Sequence, residues 1–167
     1  MRILLFLHGT CIMHRNALGL SRIQIVQQVI EDNDHSISDF ASYIPIGKVI
    51  KKLTSWKNQG AEISYLSSHL TLENVKRDEI VLKKCNFPKG TIFYRQKEED
   101  WNVQIEKAKP DIIIEDDCES IGGKYQMTFP NLKPELQSKI ISIVIKEFAG
   151  IDHLPDDINR LKDFAAE

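Results

Sequence analysis

The chain is predicted to fold as an α/β three-layer sandwich, a doubly wound, Rossmann-like parallel sheet of about five strands with helices on both faces. Five short apolar runs alternate with amphipathic stretches along the 167 residues. The runs are continuous rather than alternating in polarity, which suits strands buried on both faces. Proline, glycine and hydroxyl residues punctuate the boundaries between the two kinds of segment.

The first strand is read at Ile3–Leu7. A long stretch precedes the second strand and includes a helix over Ala17–Glu31, with Leu18, Ile23, Val26 and Ile30 near one face. A small helical cap or insertion is therefore expected over residues 11–47, after the first strand. The next helix, Lys48–Gln59, follows Pro45 and stops at Gly60, with Val49, Leu53 and Trp56 at helical spacing. Ile63–Leu66 is the second strand. Thr71–Cys85 opens on a hydroxyl and turns Val75 and Leu82 inward. Ile92–Tyr94 is the third strand, and Glu99–Lys107 is a short helix before Pro110. Ile112–Ile114 is the fourth strand, Pro134–Lys139 another short helix, and the β-branched run Ile141–Ile145 the fifth strand. Pro155 and Asp156 open a last amphipathic helix through Ile158, Leu161 and Phe164. Trp56 and Phe164 read as core residues, whereas Trp101 lies nearer the rim and could line a lid.

A chain of this length suits one domain, residues 1–167, and can bury roughly 70% of its unfolded surface. A net charge of −2 supplies no general attraction for phosphate backbones or anionic lipid, so neither nucleic acid nor membrane is an expected partner. Cys11, Cys85 and Cys118 are odd in number and form no CxxC pair, which argues against a disulfide framework and for a reducing compartment. The opening apolar run is too short for a signal-peptide core or a membrane span, and a cytoplasmic protein is expected.

Ligands of open parallel sheets bind beyond the carboxyl ends of the strands. The residues expected there are His8, Gly9 and Thr10 after the first strand, and Ser67, Ser68 and His69 after the second. Arg95, Gln96 and Lys97 follow the third, and Glu115, Asp116 and Asp117 the fourth. Hydroxyls, imidazoles, cations and a carboxylate cluster on one rim suit a phosphate with a divalent metal. Three adjacent acids at a strand end repel one another, and a cation such as Mg²⁺ would relieve that.

The segments LLFLHGT, TSWKNQGAEISYLSS and KPDIIIEDDCESIGG, in that order, resemble the haloacid dehalogenase superfamily over residues 3–123. In that family the first strand normally ends in Asp-x-Asp-Gly-Thr, the second in Ser or Thr, and the fourth in an acidic pair preceded by Lys or Arg. The resemblance implies that Gly9 and Thr10 form the turn and that Ser67, with Ser68 beside it, contacts phosphate. It implies that Asp116, with Glu115 or Asp117, binds Mg²⁺. Lys107 stands at the matching distance for the basic residue, while Lys97 or Arg95 could reach the same place. The departure is at the first motif, where Phe6 stands at the nucleophile position and His8 at the acid/base position. No Asp or Glu occurs before Glu31, so the covalent aspartyl chemistry of the family is not expected.

Two functions follow. One is an atypical Mg²⁺-dependent phosphohydrolase or phosphotransferase acting on a small phosphorylated molecule, with His8 moving the proton. The other is a silent domain that binds a phosphorylated ligand or a protein partner. The spacing H-x-x-C-x-x-H, with Cys118, also offers His8, Cys11, His14 and Cys118 as a zinc set. No G-x-S-x-G elbow accompanies the His-Gly string, and Gly122–Gly123 make no dinucleotide fingerprint, so both of those classes are excluded.

Overall fold

A computed structural model describes residues 1–164. From the N-terminus, β1 (Arg2–Phe6) is followed by β2 (Ile12–Met13), α1 (Arg22–Glu31) and β3 (Ile44–Pro45). Then come α2 (Val49–Asn58), β4 (Glu62–Ser67), α3 (Leu72–Lys84), β5 (Ile92–Tyr94) and α4 (Trp101–Ala108). The chain continues through β6 (Ile112–Asp116), α5 (Pro134–Gln137), β7 (Ile141–Ile145) and α6 (Leu161–Phe164).

Five strands form a parallel sheet in the order β5-β4-β1-β6-β7. The α/β architecture read from the apolar runs is therefore present, and it is Rossmann-like. Side chains alternate across each strand, so β1 serves both faces of the sheet. Ile3 and Leu5 enter a core with Leu53 and Trp56 of α2, Val81 of α3 and Leu161 of α6. Leu4 and Phe6 enter the opposite core with Trp101 and Ile105 of α4. This double burial is why the run carries no polar residue. β1 lies at the centre, and the chain leaves it towards β4 on one side and β6 on the other. That divergence opens a crevice at the carboxyl ends of these strands, the place where ligands bind in such sheets.

The Thr71 side chain accepts a hydrogen bond from the Asn74 amide and caps α3, the helix that carries Asp78 into the site. Thr71→Ala is expected to lower stability by about 0.5–1 kcal/mol, read as a lower urea midpoint at unchanged slope. No change in midpoint would mean that the cap is replaced by water. Gly90 lies where the chain passes close to β4: a Cβ there would stand 2.2 Å from the Ile63 carbonyl oxygen, so no other residue fits.

The segment between β1 and α2 contains the antiparallel pair β2–β3, α1 and three single-turn 3₁₀ helices. It has its own small core of Met13, Ala17, Ile25 and Ile46. The expected Ala17–Glu31 helix is shorter than the periodicity suggested. It begins at Arg22 behind a capping box in which Ser21 and Gln24 satisfy each other's backbone amides. Ile25 and Val26 are buried, whereas Leu18 and Ile23 are 74% exposed and Ile30 is 55% exposed. The reason is that Ile25 packs in this small core and no residue of α1 joins either cluster against the sheet. Trp56 is fully buried, as expected of a core residue, and its indole N–H donates to the Pro155 carbonyl. Trp101 is also core rather than lid: it is buried and meets Phe6 edge to face at 6.0 Å.

Candidate active site

The site is built where β1, β4 and β6 end. After β1 the chain turns sharply, and the Leu7 carbonyl accepts from the amides of both Cys11 and Ile12. Gly9 lies in the turn at φ +81°, and a Cβ there would stand 2.8 Å from Asp116 Oδ2. Thr10 is fully buried, and its hydroxyl donates to Asp116 Oδ2 at 2.7 Å. The Cys118 amide donates to Asp116 Oδ1 at 2.9 Å. Burial raises the Asp116 carboxyl above its usual range, and the Thr10 and Cys118 donors oppose that rise.

The three adjacent acids are divided by the strand. β6 extends to Asp116, two residues beyond the expected end, so Glu115 and Asp116 point to opposite faces. Glu115 accepts from the amides of Thr128 and Phe129 at 2.6 and 2.8 Å. Asp117 pairs with the Lys146 ammonium at 2.9 Å and accepts from the Glu147 amide. Of the three, only Asp116 lines the central cavity. The candidate cations are elsewhere. Lys107 is on the outside of α4 beside Glu99 at 3.5 Å, Arg95 is stacked on the Trp101 ring at 4.2 Å, and Lys97 is exposed.

At the end of β4, Ser67 is fully buried. Its hydroxyl donates to Asp78 Oδ2 at 2.6 Å and accepts from the His69 amide. Ser67 is thus occupied in holding Asp78, whereas Ser68 is exposed and reaches the cavity. Asp78 is fully buried, and its Oδ1 lies 3.0 Å from His8 Nε2. His8 Nδ1 lies 2.7 Å from Ser68 Oγ. A neutral imidazole donates through one ring nitrogen and accepts through the other, so His8 is oriented from both ends. His69 packs beside it, with ring centroids 4.7 Å apart. Burial, reinforced by His8, pulls the His69 imidazole down to about 4 against the attraction of Asp78. His69 Nε2 is buried with no hydrogen-bond partner among the described residues.

The cavity has a volume of about 400 Å³ and is lined on the side of the insertion by Val29, Ile37, Phe40 and Tyr43, among others. Phe6, His8, Gly9, Ser68, His69 and Asp116 form its floor and near wall. Among the described residues its lining includes Asp32, Asp116 and Glu147 but no Lys or Arg. The alternative zinc set does not assemble. His14 Nε2 is bonded to Gln28, and among the described residues neither His14, Cys11 nor Cys118 falls in a cluster of three or more possible ligand atoms. Among the described residues, His8, His69 and Asp78 are the only group of His, Cys, Asp and Glu that could hold a metal ion.

Asp78 was not among the residues expected at the site, yet its position carried a signal. With Val75 and Leu82 it lies on the inward stripe of α3, where a carboxylate is costly unless it is partnered. The fold and site together define a Rossmann-like α/β domain with a histidine–carboxylate cluster at the carboxyl rim of its sheet. No known protein-family model, curated protein or solved structure matches the chain.

Proposed function

We propose that the chain is a hydrolase that cleaves a small ester with a largely apolar body, its attacking water activated at the His8–Asp78 centre. The observation that carries this reading is the position of His8, fixed between the buried Asp78 carboxylate and the Ser68 hydroxyl on the wall of an apolar cavity. An imidazole oriented by a buried carboxylate is suited to handle a proton in the transition state. In the reaction the water gives a proton through the Ser68 hydroxyl to His8 Nδ1, its oxygen bonds to the acyl carbon, the ester C–O bond breaks, and the departing alkoxide takes up that proton.

The strand order, with Gly9 and Thr10 packed on Asp116 at the switch point, supports a divergent haloacid dehalogenase-like fold. That relationship implies a phosphate ester and Mg²⁺. The lining is unfavourable to that substrate, since a phosphate dianion would meet carboxylates and no ammonium or guanidinium. The residues do not fit Mg²⁺ either. Glu115 and Asp117 are turned away, and both oxygens of Asp116 already accept hydrogen bonds from protein donors. Phe6 supplies no nucleophile. The phosphate reading therefore stands second, supported by the burial of Asp116 without a countercharge at the cavity floor.

The test compares aryl acetate or butyrate with aryl phosphate, with and without Mg²⁺. Turnover of the acyl ester, independent of Mg²⁺ and reduced at least about 100-fold by His8→Ala, is the expected result. Turnover of the phosphate alone, lost without Mg²⁺ and in Asp116→Asn, would replace it with the second reading. Phosphatase activity gained only by Phe6→Asp would identify a decayed phosphatase site, and silence throughout would leave a binding domain.

A further inference from the structure

We infer that His8, His69 and Asp78 form a mononuclear site for a first-row divalent transition ion of the Zn²⁺ class, open on its fourth side to the cavity. One potential ligand atom each from His8, His69 and Asp78 lies within 4.8 Å of the other two. His8 Nε2 is 3.0 Å and His69 Nε2 is 3.6 Å from Asp78 Oδ1. A tetrahedral ion with bonds of ~2.0–2.1 Å needs ligand atoms ~3.3–3.4 Å apart, so these two edges bracket the requirement.

Three further observations point to an ion rather than to a hydrogen-bonded cluster alone. His69 is only 8% exposed, and its Nε2 faces Asp78 from beyond hydrogen-bonding distance with no partner of its own among the described residues. A hydrogen-bonded pair of His8 and Asp78 leaves that nitrogen stranded in a dry site, which is costly, whereas an ion gives it a bond. The outer atoms of two ligands are already fixed: His8 Nδ1 is held by Ser68 Oγ at 2.7 Å, and Asp78 Oδ2 by the Ser67 hydroxyl at 2.6 Å. Such supports orient the ligands of metal sites and raise their basicity. Two imidazoles with one carboxylate also favour a transition ion over Mg²⁺, which requires more oxygen ligands.

His8 and His69 are part of the cavity wall, so the fourth position falls to water or substrate on that side. A bound divalent ion would place positive charge in a cavity otherwise lined by carboxylates alone among its charged residues. With an ion bound, His8 and Asp78 would serve as its ligands and the ion would take over activation of the water, so the inference rests on the hydrolytic reading for its role, not for its existence.

The test is titration of chelator-treated full-length protein with Zn²⁺ and, separately, Mg²⁺ by calorimetry, followed by the absorption spectrum of the Co²⁺ form. One Zn²⁺ per chain is expected to bind with micromolar or tighter affinity, with Mg²⁺ at least about 100-fold weaker. His69→Gln and Asp78→Asn are expected to weaken Zn²⁺ at least about 100-fold, and Ser68→Ala about 10-fold or more, as loss of a supporting hydrogen bond does. Circular dichroism identifies variants that remain folded. The Co²⁺ form should show four-coordinate d–d bands without a thiolate charge-transfer band, which excludes ligation by Cys11 or Cys118. Absence of Zn²⁺ binding by folded wild type, or binding unchanged in folded His69→Gln, would overturn the site. Zn²⁺ binding absent while ester turnover persists would overturn the site alone and leave the hydrolase reading intact. Zn²⁺ bound as described but without hydrolysis would leave the site standing and remove the hydrolase reading.

Discussion

The Asp78→Asn variant is expected to lose about 10²–10⁴-fold in kcat/KM for the acyl ester while remaining folded. The carboxylate is fully buried, with one oxygen facing His8 and the other accepting from Ser67. Asn has the same shape and keeps one acceptor, so the helix and its packing have no reason to move. It loses the negative charge that orients His8 and stabilises positive charge at this centre, whether that charge is a proton or a metal ion. Asp78→Ala is a poorer probe, because it leaves the Ser67 and His8 partners unpaired in a dry environment and destabilises the fold itself. The measurement is kcat/KM against pH, with a urea unfolding curve on the same sample. Turnover unchanged in folded Asp78→Asn would remove the centre from the mechanism.

Between pH 5 and about 7.5, wild type is expected to lose roughly 2 kcal/mol of stability relative to Glu115→Gln. Burial pushes the Glu115 carboxyl from its usual 4.5 up to about 7, against the pull of the Thr128 and Phe129 amides. The folded state therefore holds a proton that the unfolded chain releases. Its stabilising contribution is complete below about 4.5 and is lost as the pH rises through about 7. Burial raises the carboxyls of Asp116 and Glu147 in the same direction. His69 has the opposite sign: pulled down to about 4 in the fold, it contributes stability above its usual 6.5 that is lost as the pH falls through about 4. Wild type alone can thus appear nearly flat across this range, and the difference from Glu115→Gln isolates one carboxyl. Urea unfolding of both proteins at pH 5, 6, 7 and 8 provides the check. Parallel stability curves would show that the two backbone donors keep Glu115 ionised throughout.

Much of the framework was legible along the chain. β5 and β7 occupy the apolar runs at residues 92–94 and 141–145, and Thr71 is the cap of α3, because strand burial and capping depend on near neighbours in sequence. The turn at Gly9 and Thr10 and its partner Asp116 were also within reach, since strand ends in such a sheet share one rim. The failures have equally physical causes. Periodicity alone gives α1 a wide apolar stripe, yet Gly19 and the Ser21–Gln24 capping box delay its start, and three apolar residues of that stripe face outward. A fourth strand that ends at Ile114 makes Glu115, Asp116 and Asp117 a cluster. Two more residues of strand turn neighbours in sequence into residues on opposite sides of the sheet.

The α/β class, the approximate element boundaries and the rim residues His8, Gly9, Thr10, Ser68 and Asp116 follow from local pattern, because burial and backbone preference act over a few residues. The cluster of His8, His69 and Asp78 does not. Asp78 is 70 residues from His8, and they meet only because β1 pairs with β4 and α3 packs back over the end of β4. The same packing commits Ser67 to Asp78 and leaves Ser68 for the cavity. Strand order and helix placement determine which side chains converge, and they arise from the burial of the whole sheet rather than from any one segment.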